Sequence, residues 1–303
     1  MGKRMPCGKE VEMKKAVVTG AAGFAGCNLV EHLIRQGYEV YAVVRESSAH
    51  NRRLQESRCL HPIMLDMEQM NLLPGKIWEP CDLFYHLAWA GGRDEFDAQY
   101  RNVAVAVSAV EAAAQIGCRR FICTGSQAEY GSRTQIQTED LAPQPFSSYG
   151  AAKAAACYLT QNRAQQLDID WIWGRIFSLI GRYEPHGRML PDLVQKIRAG
   201  ETAHLSAGTQ NWDYLDAGDA ADELIALGER GRSGEIYNIA NGDYHPLKEF
   251  TEQIRTALNP EAQIIYGELP SPLVSLQPSM EKVSRETGWK PKVSFMESIS
   301  EYQ

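Results

Sequence analysis

No C-x-x-C pair joins any of the seven cysteines, no apolar run is long enough to span a bilayer, and no block of Lys and Arg interrupts a net charge of -7. Each absence removes a class of function. Without paired spacing, Cys7, Cys27, Cys59, Cys81, Cys118, Cys123 and Cys157 read as reduced, buried packing residues. Seven histidines stand without H-x-x-x-H or mixed Cys/His spacing, so no metal site is expected. The acidic balance offers no footprint for nucleic acid. Residues 1–13 are charged and lack an apolar h-region, so the chain reads as a soluble, cytoplasmic protein with a loose N-terminal extension and no membrane partner.

What is present is a glycine-punctuated turn, Thr19-Gly20-Ala21-Ala22-Gly23-Phe24-Ala25-Gly26, between the apolar run Ala16-Val17-Val18 and an amphipathic stretch over 28–36. Strand, turn and helix in that order are the context a phosphate-binding loop requires. Gly20 permits a tight exit from the strand, Gly23 lets backbone approach a pyrophosphate, and Gly26 lets the helix pack closely. The helix start, with Phe24 and Ala25, adds free N–H groups and a partial positive charge.

Through the first half, apolar runs at 15–19, 39–44, 62–65, 83–87, 120–124 and 171–177 alternate with helical stretches, notably an alanine-rich one at 103–116 and another at 149–167. That alternation predicts an α/β fold, a Rossmann-like doubly wound parallel sheet covered on both faces. The pattern changes after Phe177 to a loop, 181–187, and a helix at 190–199. A cofactor-binding domain is expected over 14–177, with 212–240 returning to it, and a smaller α/β substrate lobe over 178–211 and 241–303. Ligands in such folds lie outside the carboxyl ends of the strands, which places a substrate between the lobes.

Tyr149 and Lys153 stand four apart in a predicted helix and share a face. A phenol titrates near ~10 in water, and a neighbouring ammonium favours its ionised form, so the pair suits proton exchange. Alone, such a pair reads as a solvated Tyr and Lys; the glycine turn upstream changes that reading. Ser126 follows the strand at 120–124 and offers a hydroxyl at its carboxyl end. It is no acyl-transfer nucleophile, since Gly125-Ser126-Gln127 is not G-x-S-x-G.

Glycines at three-residue intervals, with Tyr149 and Lys153 downstream, resemble the extended short-chain dehydrogenases/reductases, the nucleotide-sugar epimerases, dehydratases and reductases, from about residue 14 to 293. The resemblance implies a catalytic set of Ser126, Tyr149 and Lys153, Ser126 standing four residues before Tyr130 of a Tyr-Gly pair as in that family. It implies cofactor contacts from Asp66, Leu87, Ala88 and Asn102, and a homodimer through the helices at 103–116 and 149–167. Arg45, with Ser47 and Ser48, stands where an Asp usually takes the ribose hydroxyls of NAD, and an Arg there suits a 2′-phosphate, so NADP is expected, with NAD as the alternative. Family 4,6-dehydratases carry acids directly after the catalytic Ser or Thr; here those positions are Gln127 and Ala128, and Glu129 comes one place late. Trp89, Gln127, Ser178, Arg188 and Trp212 are the substrate-side candidates, with Arg182 and Lys248 as further cations. Trp212 stands where the family often has an Arg for the diphosphate.

The expected activity is NADPH-dependent reduction of a nucleoside-diphosphate 4-keto-6-deoxy sugar, with Tyr149 as proton donor. The alternatives are a nucleotide-sugar 4-epimerase that recycles its cofactor and a non-catalytic NADP-binding sensor.

Overall fold

The computed structural model describes residues 13–271 and 274–302, so most of the expected N-terminal extension, Cys7 included, lies outside the described residues. Seven parallel strands make the central sheet: β1 (Lys15–Thr19), β2 (Glu39–Val44), β3 (Leu60–Met64), β4 (Leu83–His86), β5 (Arg120–Ser126), β6 (Asp170–Ile176) and Glu235–Ile239. In space they run Glu235–Ile239, β6, β5, β4, β1, β2, β3. The order reverses between β1 and β4, and the crevice outside those two strand ends is where a doubly wound sheet binds ligands.

Strand residues alternate between two cores. Ala16 and Val18 of β1 face α1 (Phe24–Arg35), while Val17 faces α2 (Phe96–Ile116) and α3 (Ser148–Gln166). The alanines predicted to pack closely do so: Ala106, Ala109 and Ala113 of α2 and Ala156 and Ala164 of α3 are fully buried against the sheet. A third apolar cluster gathers Leu190, Leu193 and Ile197 of α4 (Met189–Ala199) with Phe250, Ile254 and Ile299. Tyr214 belongs to that cluster and Leu215 to the sheet's, so the chain crosses between cores in one step before α5 (Ala217–Arg230).

Three expectations need correction. The third strand starts at Leu60 rather than 62, because Pro62 pairs only with Ala42 of β2 on an edge strand, where a missing N–H costs no ladder bond. A seventh strand, Glu235–Ile239, joins β6; its polar Asn238 hid it, and that side chain is buried because Tyr130, Gln137 and Ser279 satisfy it. The six described cysteines are free, but Cys59 is only half-buried, at the turn that leads into β3. Among the described residues no helix is long and apolar enough to cross a membrane.

Candidate active site

The crevice is built first from glycine. Gly20 has φ +68°, and a Cβ there would stand 2.8 Å from the Ala88 nitrogen, so the loops after β1 and β4 meet this closely only around glycine. A Cβ on Gly26 would lie 2.2 Å from the Gly20 carbonyl oxygen, so the first turn of α1 rests on the turn before it. The Gly23 N–H donates to Gly20 O at 2.9 Å and closes the loop. Gly23 caps α1 without a side-chain acceptor, and no acidic residue occupies the first turn, which leaves N–H groups and the positive end of the helix open to an anion.

A cavity of about 510 Å³ extends from this loop and is lined by Arg45, Ser48, Asp66, Leu87, Ala88 and Asn102. Ser48 rather than Ser47 faces it; Ser47 lines a neighbouring hollow that shares Arg45 and Asp66. The Ser48 hydroxyl accepts the His50 N–H and so caps the short 3-10 turn Ala49–Arg53. Asp66 likewise caps the next 3-10 segment through Glu68 N. Asn102 acts on the loop after β4: its amide accepts from Ala90 N at 3.1 Å and donates to Ala90 O at 2.8 Å. Size, phosphate donors and the cation Arg45 together fit a dinucleotide.

Beneath the cavity, His86 accepts or donates a 2.8 Å hydrogen bond with Thr19 Oγ1, and burial, followed by the charge of Lys153, pulls its pKa down to about 3. It is a neutral imidazole throughout the physiological range.

A second cavity, of about 630 Å³, shares Leu87 and Trp89 with the first and brings Ser126, Gln127, Tyr149, Lys153, Ser178, Arg188 and Trp212 to one space, with Phe24 and Ala25 at its cofactor side. Ser147 caps α3 by accepting Gly150 N and sets Tyr149 on the first turn. Lys153 is buried; its Nζ donates to Thr124 O at 2.7 Å and lies 3.6 Å from the centre of the Trp89 ring. Trp89 also meets Tyr149 edge to face and donates to Gln99. It braces the pair rather than presenting a free stacking face.

Ser126 ends β5, two residues beyond the predicted strand. Glu129 turns away from the cavity into a buried ion pair with Arg175 at 2.8 Å, so it is not placed as an acid for elimination. Lys248 lines a separate apolar cavity of about 250 Å³, and Arg182 pairs with Glu31 outside both cavities; neither faces the reacting groups. Arg188 does face the second cavity, 3.8 Å from Glu184. The sequence reading missed Arg93, whose guanidinium lies 5.1 Å from the Tyr149 ring centre and whose carbonyl accepts Tyr149 N. Its only signal was position, directly after Gly91-Gly92 in the loop that leaves β4.

The chain is 25% identical to UDP-glucose 4-epimerase of Corynebacterium glutamicum, over 95% of this chain and 94% of that one. It is likewise 25% identical to UDP-glucuronic acid decarboxylase 1 of Arabidopsis thaliana, over 98% and 70%. In three dimensions it resembles UDP-glucuronic acid 4-epimerase from Bacillus cereus in complex with NAD, with TM-score 0.83, 22% identity, and 95% and 96% of the two chains covered. The fold of UDP-N-acetylglucosamine 4-epimerase from Methanobrevibacter ruminantium M1 matches with TM-score 0.85, 22% identity, and 96% and 99% covered. Residues 16–240, well over half the chain, match the NAD dependent epimerase/dehydratase family, and the chain belongs to it.

Proposed function

We propose that this chain is a nucleotide-sugar 4-epimerase that uses Ser126, Tyr149 and Lys153 at carbon 4 of the sugar. The observation that carries the reading is the convergence of these three side chains on one cavity that opens into the dinucleotide-sized one. Gln127 and Ala128 at the positions after Ser126, with Glu129 paired to Arg175, weigh against dehydration. Curated relatives include UDP-glucose 4-epimerases and support the substrate class.

Gly20, Gly23, Phe24, Ala25 and Gly26 would hold the pyrophosphate, Asp66 the adenosine side, and Leu87, Ala88 and Asn102 the loop along the nicotinamide half. A nicotinamide dinucleotide supplies the hydride acceptor and donor for the reaction. Tyr149 takes the proton from the sugar hydroxyl as the carbonyl forms and returns it as the hydroxyl re-forms. Lys153 spends one of its three donors on Thr124 O and has two left for ribose hydroxyls. Ser126 donates to the sugar oxygen and stabilises charge that develops there. Ser178, Gln127, Trp212 and Arg188, together with Arg93, line the space for the sugar and its anionic part.

Arg45 favours a second reading. A cation at the end of β2 suits the 2′-phosphate of NADP, the cofactor of a reductase that consumes it, and the substrate would then be a 4-keto-6-deoxy sugar. Proton NMR of UDP-glucose, UDP-glucuronic acid, UDP-N-acetylglucosamine and dTDP-D-glucose incubated with the protein and trace NAD or NADP separates the two. Inversion at carbon 4 with no net change in reduced cofactor is expected. Stoichiometric loss of NADPH with 4-keto sugars, and no inversion, establishes the reductase instead. We also propose a homodimer through α2 and α3, which expose Tyr100, Tyr158 and Leu159; light scattering that gives a mass of one chain contradicts it.

A further inference from the structure

We propose that Glu129, held by Arg175, is the positioning residue for Ser126, an inference that rests on the role given to Ser126 above. Ser126 N–H donates to Glu129 Oε1 at 2.8 Å, and Trp173 Nε1 donates to the same oxygen at 3.0 Å. Arg175 Nε donates to Oε2 at 2.8 Å, and its guanidinium lies 4.5 Å from the Tyr130 ring centre. The side chains of Glu129 and Arg175 are 0% and 1% exposed.

Gly125 makes room for this. A Cβ there would stand 2.1 Å from Trp173 Nε1 and 2.3 Å from Glu129 Oε1, so carboxylate and indole press directly against the backbone that carries Ser126. The Ser126 hydroxyl in turn accepts Ala128 N–H at 3.2 Å. With an oxygen lone pair engaged there and the backbone fixed from behind, the hydroxyl proton is left to be donated into the cavity. A buried ion pair is on average no more stabilising than apolar residues of the same volume. Its specific effect here is direction: it fixes the Ser126 N–H, and with it the side chain that lines the same cavity as Tyr149.

Removing one partner would strand a buried charge, so the test replaces both. Glu129→Gln with Arg175→Met keeps an acceptor for Ser126 N; Glu129→Leu with Arg175→Met removes it. The Leu pair is expected to lower kcat about 30-fold with KM within about 2-fold, and the Gln pair to stay within about 3-fold of wild type in kcat. In a Ser126→Ala background the Leu pair is expected to cost nothing further. Amide exchange reads the same arrangement without substrate: at Ser126 it is expected to quicken at least 100-fold relative to Ile122 in the Leu pair alone. Wild-type kcat in the Leu pair, an equal further loss without the Ser126 hydroxyl, or unchanged exchange at Ser126 each overturns the proposal. If wild type turns over no nucleotide sugar, the functional reading fails by itself and the exchange result still decides the positioning.

Discussion

Lys153 is held between two partners: its ammonium lies 3.6 Å from the centre of the Trp89 ring while it donates to Thr124 O at 2.7 Å. A desolvated cation–π contact of this kind is worth ~2 kcal/mol. Trp89→Leu is therefore expected to lower kcat/KM about 30-fold by freeing the ammonium, and Trp89→Phe about 3-fold. Steady-state kinetics with near-ultraviolet circular dichroism as a folding control checks both.

The contact between Gly26 and the Gly20 carbonyl makes the phosphate loop sensitive to one methyl group. A Cβ 2.2 Å from a backbone oxygen cannot be absorbed by a side-chain rotation, so Gly26→Ala is expected to weaken dinucleotide binding at least 100-fold. Gly75→Ala, where nothing lies within 4 Å, is expected to leave binding unchanged. Titration calorimetry with NAD and NADP on both variants is the measurement.

Arg45 is expected to discriminate between NADP and NAD. A charge-assisted bond to a phosphate is worth ~1.5–3 kcal/mol, so Arg45→Ala is expected to weaken NADP binding by about 10- to 100-fold and NAD binding by less than about 3-fold. Equal losses for both dinucleotides would remove the case for a 2′-phosphate site.

His86 carries a pH dependence whose sign follows from its depressed pKa of about 3. As pH falls, the unfolded chain takes up a proton near pH ~6.5 while the folded chain does not, so stability is full above that value and is lost below it. Relative to His86→Gln, wild type is expected to lose about 2 kcal/mol of unfolding free energy between pH 7 and pH 5. Urea titrations of both proteins across that range test it.

The parts that sequence reading found were those governed by local rules. β1 and β2 fell at their predicted bounds because both are buried on two faces and end at turn residues. The Gly20 turn, Tyr149 and Lys153 were legible because spacing along strand, turn and helix fixes where they point. The role of Glu129 was not, since its partners Trp173 and Arg175 lie 44 and 46 residues away on a neighbouring strand. Arg93 was hidden for a related reason: loop residues take their direction from what the loop packs against. For Arg93 that is the Tyr149 ring.

Turnover of a UDP-sugar by wild type and by Tyr149→Phe, each supplied with NAD and with NADP, decides whether Tyr149 moves the proton at carbon 4. General acid–base groups contribute ~10²–10⁴-fold, so conversion at carbon 4 is expected to fall by at least about 100-fold in the variant while dinucleotide affinity stays within about 3-fold. Conversion that persists in Tyr149→Phe at the wild-type rate would contradict it.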